Sequence, residues 1–279
     1  MTDLLHSEEL AIALEGTLFT GKVQIFPTLD STNTHALREA VSGAPHGSVY
    51  VAEEQTAGRG RGAHAWHSEP HSGLYLSILL RPEMTPADAL WLSLASGLAV
   101  QQAVENVTGL VADIRWPNDL LLNGRKFGGI LTETSGEAIR VRYVVVGIGI
   151  NVGHGKFPPE LREVATSLRL ESDRIVSRQD LLIALLQTLS CEFGMLTRQE
   201  SFVEATENIL VRMEQRSTWI RGKRVVVDEA EGYTGVTAGL DARGFLRVQT
   251  TGGVRTVLSG GVREDKAAAT TGSLHAIGH

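Results

Sequence analysis

One cysteine, Cys191, stands in a chain of 279 residues, so no internal disulfide can form, which suits a reducing compartment. Basic residues are in deficit. Lys and Arg number 26 against 32 Asp and Glu, a net charge of −6, which argues against a non-specific nucleic-acid coat. No apolar run approaches the ~20 residues of a membrane span; the longest, counting glycine, is Tyr143–Ile150. The opening MTDLLHSEEL has no basic flank ahead of an apolar stretch, so no signal peptide is read there. Low-complexity segments and internal repeats are also missing. The expectation is a cytoplasmic protein that leaves membranes alone.

What remains is globular: 42% hydrophobic and 21% charged residues, on a chain of about two domains' length. Glycine is in excess, 30 of 279 without a fixed period, so the glycines are placed singly, at turns or where backbone must approach a ligand. Ser31 is placed to cap a helix over Thr34–Val41 that Gly43 stops. Thr85-Pro86-Ala87-Asp88 starts a second, running to about Thr108 ahead of Gly109. Ser177 with Asp180 opens a third, ending near Thr197, and a fourth is expected over Phe202–Met213. Cys191 falls in the third and reads as core rather than nucleophile. Strands are expected at Ser48–Glu53, Leu74–Leu80, Val111–Trp116 and Ile139–Ile150, the last central in its sheet. Asn123-Gly124 between LLL and FGGILTE signals a hairpin. From Lys223 to Glu264 short β runs alternate with glycine turns, the pattern of a small SH3-like barrel. The fold class is therefore α+β: a mixed sheet flanked by helices over residues 1–215, a small β-barrel over 216–264, and a frayed tail over 265–279.

Four stretches could carry chemistry. Gln55-Thr56-Ala57-Gly58-Arg59-Gly60-Arg61-Gly62 follows a strand, and its glycines and two arginines suit a phosphate or carboxylate. It fits a dinucleotide fingerprint only formally, because HAWHSEP follows where a helix must open, and no Walker lysine-plus-hydroxyl ending is present. Alone, it also fits a solvated arginine loop. Arg115-Trp116-Pro117-Asn118-Asp119 sits at a strand end, where Asn118 and Asp119 either face a ligand or hold an Asx turn. Arg125-Lys126-Phe127-Gly128-Gly129 is the return strand of the hairpin. Its paired glycines suit something lying flat on the backbone, with Lys126 and Gly128 on one face by the period of two; the alternative is a bulge with an exposed lysine. Gly147-Ile148-Gly149-Ile150-Asn151 ends a buried strand in an asparagine. His64, His67 and His71 are metal-ligand types, but Glu69-Pro70 breaks the helix that would align them, and no resident metal is expected. Asn106-Val107-Thr108 matches a glycosylation acceptor, without meaning in a cytoplasmic helix.

Together, DSTN at Asp30–Asn33, EQTAGRGR at Glu54–Arg61, WPNDLLLNGRKFGGILTE at Trp116–Glu133 and GIGINV at Gly147–Val152 resemble the biotin–protein ligases in order and spacing. The resemblance implies activation of biotin by ATP, with Mg2+, to biotinyl-5′-AMP. It also implies transfer of the biotinyl group to one lysine of a biotin carboxyl carrier protein, typically of acetyl-CoA carboxylase. By position, Ser31, Thr32 and Asn33 match the residues at the biotin ureido end, and Gln55, Arg59, Gly60 and Arg61 the loop closing over biotin and adenylate. Lys126 matches the lysine at the reacting carboxylate and α-phosphate, and Gly128 and Gly129 the backbone under the bicycle. Arg59, Arg61, Trp66, Asn118 and Asn151 fall to the nucleotide, and Asp119 to the entry of the acceptor amine; Lys126, Arg59 and Asp119 are the catalytic candidates. Two departures stand out: Gly62-Ala63-His64-Ala65-Trp66 replaces the further basic residues that often follow GRGR, and Arg115 replaces a common lysine.

DSTN begins only at Asp30, which leaves no room for the helix-turn-helix domain of the repressing family members; no DNA binding is expected, and the protein could be a monomer or a homodimer. Two other readings compete. A lipoate or octanoate ligase or transferase shares the core fold but not DSTN and GRGR. A nucleic-acid-binding module would use the arginine loop and the barrel but leave WPND and Lys126 idle.

Overall fold

The continuous apolar run ends where its lack of a polar face requires, in the middle of a sheet. The computed structural model describes residues 4–265 except 138, 173, 230 and 259. In chain order the elements are α1 (Ser7–Ala13), β1 (Val23–Phe26), α2 (Thr32–Val41), β2 (Ser48–Ala52), β3 (Gly73–Leu80), α3 (Ala89–Thr108), β4 (Asp113–Arg115), β5 (Asp119–Leu122), β6 (Arg125–Gly136) and β7 (Val141–Asn151). They continue with α4 (Leu168–Glu171), α5 (Arg178–Leu196), α6 (Phe202–Arg216), β8 (Arg221–Val227), β9 (Tyr233–Leu240), β10 (Leu246–Thr250), β11 (Gly253–Val257) and β12 (Val262–Glu264). Seven strands form one sheet in the order β1-β2-β3-β7-β6-β5-β4, mixed because β1 and β2 run parallel and the other pairs antiparallel. Five more form an antiparallel sheet, β11-β10-β9-β8-β12, the small all-β unit that the glycine-punctuated run Lys223–Glu264 calls for. Of the tail 265–279, all but Asp265 lies outside the described residues.

Local chemistry sets the helix ends. Ser31 Oγ accepts from Thr34 N–H at the start of α2, and Ser177 Oγ from Asp180 N–H at the start of α5. Thr85 N–H donates to the Asp88 carboxylate ahead of α3, and Gly109, at φ 76°, ends that helix in a left-handed turn. The sequence patterns did not identify α1, β1 or the one-turn α4. Cys191 is exposed, not core. The buried stripe of α5 runs through Leu182, Leu185, Leu186, Leu189 and Phe193, and Cys191 lies about 200° round the helix from Leu189.

The strand period of two divides the large sheet into faces with different neighbours. On β7, Val144, Val146, Ile148 and Ile150 join the main core, which includes residues of α3 and α5. Tyr143 and Val145 point the other way and pack with Ala36 and Ala40 of α2 and with Tyr50 and Leu79. Beyond the end of that smaller cluster, the same face continues as Gly147, Gly149 and Asn151.

The two sheets interlock at Trp116, 3% exposed, whose indole N–H donates to the Gly244 carbonyl at 3.0 Å. Gly244 turns between β9 and β10 at φ 81°, and a methyl there would come within 3.0 Å of Leu94 in α3. Trp116→Phe should keep the packing but orphan the carbonyl, costing about 1–3 kcal/mol. Urea denaturation checks this; an unchanged midpoint would show that the bond contributes nothing.

Candidate active site

Glycines on the open face of the sheet admit side chains that any Cβ would exclude. A methyl on Gly147 would lie 2.0 Å from Asn33 Oδ1, and one on Gly149 2.7 Å from the Trp66 ring. Asn33, 3% exposed, is held on every side: Nδ2 donates to Glu133 Oε2 (2.9 Å) and the Leu131 carbonyl (3.2 Å), and Oδ1 accepts from Ser77 Oγ (2.5 Å). Thr32 donates through N–H and Oγ1 to Gln55 Oε1 (2.9 and 3.1 Å), and Gln55 Nε2 donates to Ser68 Oγ (2.9 Å). The polar groups of Asn33, Thr32 and Gln55 are thus partnered, which fixes the constellation rather than merely permitting it.

The arginines of the loop are paired to groups of the sheet face. Arg59 grips Glu133 with two bonds (2.8 and 3.2 Å), and Arg61 Nη1 donates to Asn118 Oδ1 (2.9 Å). Both side chains are paired rather than free, although Arg59 stays exposed, so the solvated-loop reading holds for it in part.

Lys126 reaches the same face by an irregularity. In the β5–β6 ladder Leu120 pairs Gly128 while Leu121 pairs Lys126, so Phe127 is an extra residue. The bulge sends Phe127, fully buried, into the core; a methyl on Gly128 would meet Leu120 there. It leaves Lys126 beside Gly129, whose Cβ would lie 3.1 Å from Lys126 Cε. The expectation that Lys126 and Gly128 share a face fails for this reason, and Gly128 drops out of the site lining while Gly129 stays. The bulge alternative is thus real, but it aims the lysine instead of exposing it.

Lys126 Nζ lies 2.6 Å from Asp119 Oδ1, and Arg115 Nη2 and Nε donate to Asp119 Oδ2 at 2.6 and 3.1 Å. Asp119 therefore sits behind the lysine, both oxygens engaged, and not free at the mouth. Burial pushes its pKa up, but the Lys126 and Arg115 cations more than offset this and hold it below the ordinary value. Arg115 also stacks on Trp219 (5.4 Å), with Lys223 of β8 at the same ring (5.0 Å).

Two cavities meet at Lys126. One, about 780 Å³, lies between the two sheets, lined among others by Trp66, Lys126, Asn151, Phe157, Lys223 and Arg263. That is the size of a ligand site. The other is a slot of about 40 Å³ lined by Ser31, Thr32, Asn33, Gln55, Arg59, Gly60, Arg61, Asn118, Lys126 and Gly129, with Trp66. It is small because the Trp66 indole lies across Gly129 and Gly149. The indole N–H is buried there without a hydrogen-bond partner. Asn151 is 5% exposed and donates to the Thr166 carbonyl, so it acts in the cavity wall.

Sequence patterns brought all but Gly128 and Asp119 to a cavity lining. They missed Glu133, though it closes the WPND…ILTE stretch, and Ser77, whose position opposite Gly147 is a matter of strand register. Lys223, Trp219 and Arg263 carry no local signal, since only the docking of the small sheet brings them near.

Cations gathered on one sheet face beside a cleft of this size define a site for joining anionic reactants. Residues 25–151 match the model of the biotin/lipoate A/B protein ligase family. The chain is 33% identical to the bifunctional ligase/repressor BirA of Bacillus subtilis over 258 residues, which are 91% of this chain and 78% of that protein. It is 33% identical to the biotin–acetyl-CoA-carboxylase ligase of Mycobacterium tuberculosis, over 83% of this chain and 84% of that one. The structure of the Aquifex aeolicus biotin protein ligase in complex with biotin and ATP superposes with a TM-score of 0.72 at 29% identity, covering 87% of this chain and 97% of that chain. The chain belongs to the biotin protein ligases of this family.

The depressed Asp119 pKa has a testable sign. A carboxyl ionised more readily in the folded than in the unfolded chain adds stability above its unfolded pKa of ~3.9, lost as pH falls through the folded value. Wild type should exceed Asp119→Asn in stability by the most above about pH 5, and the gap should shrink below pH 4. Urea titrations at both ends check it; a gap independent of pH would remove the ion pairs from the account.

Proposed function

We propose that the protein activates biotin with ATP and passes the biotinyl group to a lysine of a biotin carboxyl carrier protein. The observation that carries this is the meeting of the polar slot and the large cavity at one ion-paired lysine, Lys126. The slot takes the biotin bicycle. Asn33, Thr32 and Gln55 offer donors and acceptors to the ureido group, and Gly129 and Gly149 let the flat rings lie on backbone. The large cavity takes MgATP, the ion entering as part of that substrate. The valeryl carboxylate then attacks the α-phosphorus, pyrophosphate leaves, and a mixed anhydride remains. Attack brings two anions together, so a fixed cation at the junction lowers the barrier. Lys126 supplies that cation, and Asp119 with Arg115 is a positioning group that aims it. The acceptor amine attacks the anhydride carbonyl carbon, and AMP leaves.

Trp66 and Arg59 must give way for biotin to enter. Once Arg59 leaves Glu133, its fork is available to the adenylate, and the closed loop keeps water from the anhydride. The pairing of Arg59 with Glu133 and of Arg61 with Asn118 disfavours the nucleic-acid module, which would leave both guanidinium groups free for phosphates.

Incubation with biotin, ATP and Mg2+ should yield biotinyl-AMP by mass spectrometry, then a biotinylated carrier domain. Faster adenylate formation with lipoate would favour the sister activity instead. Lys126→Ala should lower adenylation by on the order of 10²–10³, or ~3–4 kcal/mol, with the fold retained. Near-normal pyrophosphate release by that variant would sink the role given to the lysine.

A further inference from the structure

His67, Glu69 and His154 converge at one end of the sheet, where the start of β3 pairs the exit of β7. Glu69 and His67 follow the arginine loop, and His154 follows the exit of β7. A ligand atom of each lies within 4.8 Å of those of the other two. The histidine trio suggested by sequence spacing does not assemble: His71 turns away to Glu53 (3.2 Å), and His64 is not part of the cluster. Sequence distance hid the true partner, 87 positions from His67.

From this convergence we propose that His67, Glu69 and His154 bind one divalent transition-metal ion of the zinc class, separate from the magnesium that accompanies ATP. The donor set decides the class. Two imidazoles and one carboxylate suit zinc, cobalt or nickel, whereas magnesium takes oxygen ligands in near-ideal octahedra. Three protein ligands leave a fourth position for water. His67 lines the large cavity, so that position opens toward it.

His154 is the fixed member. It is fully buried, stacks on Phe157 with ring centroids 5.2 Å apart, and has Nε2 3.4 Å from the Tyr75 hydroxyl. Its Nδ1 is buried without a hydrogen bond, and its backbone carbonyl accepts from Ser167 Oγ (2.7 Å). One ring nitrogen of this fixed imidazole lies within reach of the His67 and Glu69 donors, so the buried member needs no rearrangement to ligate. His67 is exposed and Glu69 partly so. Tetrahedral ligands at bond lengths of about 2.0–2.2 Å sit roughly 3.4 Å apart, so from separations within 4.8 Å these two side chains need to draw in by at most about 1.4 Å. Binding would tie the segment that follows Trp66 to the end of β7, and so connect metal occupancy to the position of the indole in the slot.

The test uses the whole chain, stripped with chelator and titrated with Co2+, read by its visible ligand-field absorption and by competition with Zn2+. Wild type should bind one equivalent more than His67→Ala or Glu69→Gln, or bind it at least about tenfold more tightly, since even outer-shell changes cost that much. His64→Ala, in the same loop but outside the triad, should match wild type. Zn2+ should raise the melting temperature of wild type and of His64→Ala, but not of the triad variants. Both triad substitutions lie on accessible side chains, and their melting temperatures in chelator report folding directly. Equal Co2+ binding by wild type and folded His67→Ala, or a loss of equal size in His64→Ala, would overturn the site.

Discussion

A β-strand has two faces, and the whole site depends on how β7 divides them. Its inner face is large and branched because it must fill the core against α3 and α5. Its outer face shrinks from Tyr143 and Val145, which pack under α2, to Gly147 and Gly149, which hold nothing of their own. That change within one strand turns a packed layer into a binding surface without changing the sheet. Neighbouring strands obey the same register: Ser77 of β3 and Leu131 of β6 flank Gly147, and Gly129 pairs Gly149. The α2 N-terminus then lowers Thr32 and Asn33 onto the glycines. One inserted residue, Phe127, completes the arrangement. Without it, strict alternation would put Phe127 beside Gly129 and turn Lys126 away.

The chain's own groups occupy the slot that the ligand is proposed to take. Trp66 lies where a flat bicycle would, and Glu133 holds the Arg59 fork that an adenylate phosphate would compete for. The Arg59–Glu133 pair is partly exposed, so it contributes little to stability and can exchange partners cheaply. The indole N–H has no partner in the slot, so the ring leaves without breaking a hydrogen bond. Closure by weak internal contacts keeps the polar floor ordered while leaving it open to displacement. The floor itself, centred on Asn33, is fully bonded and stays preorganised.

Much of this was legible in the sequence, because it is written locally. Caps at Ser31, Thr85 and Ser177, the Asn123-Gly124 turn and the glycine-punctuated C-terminal strands are short-range chemistry. The family motifs named most of the slot. What stayed hidden is non-local. A bulge and a regular pair share one sequence pattern, so the faces of Lys126 and Gly128 needed the β5 register. Whether Asp119 is free or ion-paired depends on Lys126 and Arg115 arriving from two strands. Cys191 is exposed because of helix phase, which an apolar window averages away. Glu133, Lys223 and Arg263 owe their places to pairing and docking, for which no residue type is diagnostic.

The proposed chemistry depends on where an adenylate lies, and a crystal structure with a non-hydrolysable biotinyl-adenylate analogue measures that. The bicycle should lie against Gly129 and Gly149 with its ureido group at Asn33, Thr32 and Gln55. Trp66 should be displaced, Arg59 released from Glu133 and Lys126 Nζ within hydrogen-bond distance of the acyl-phosphate link. An analogue bound with the indole still across the two glycines, or with Lys126 turned away from the phosphoryl group, would contradict that chemistry.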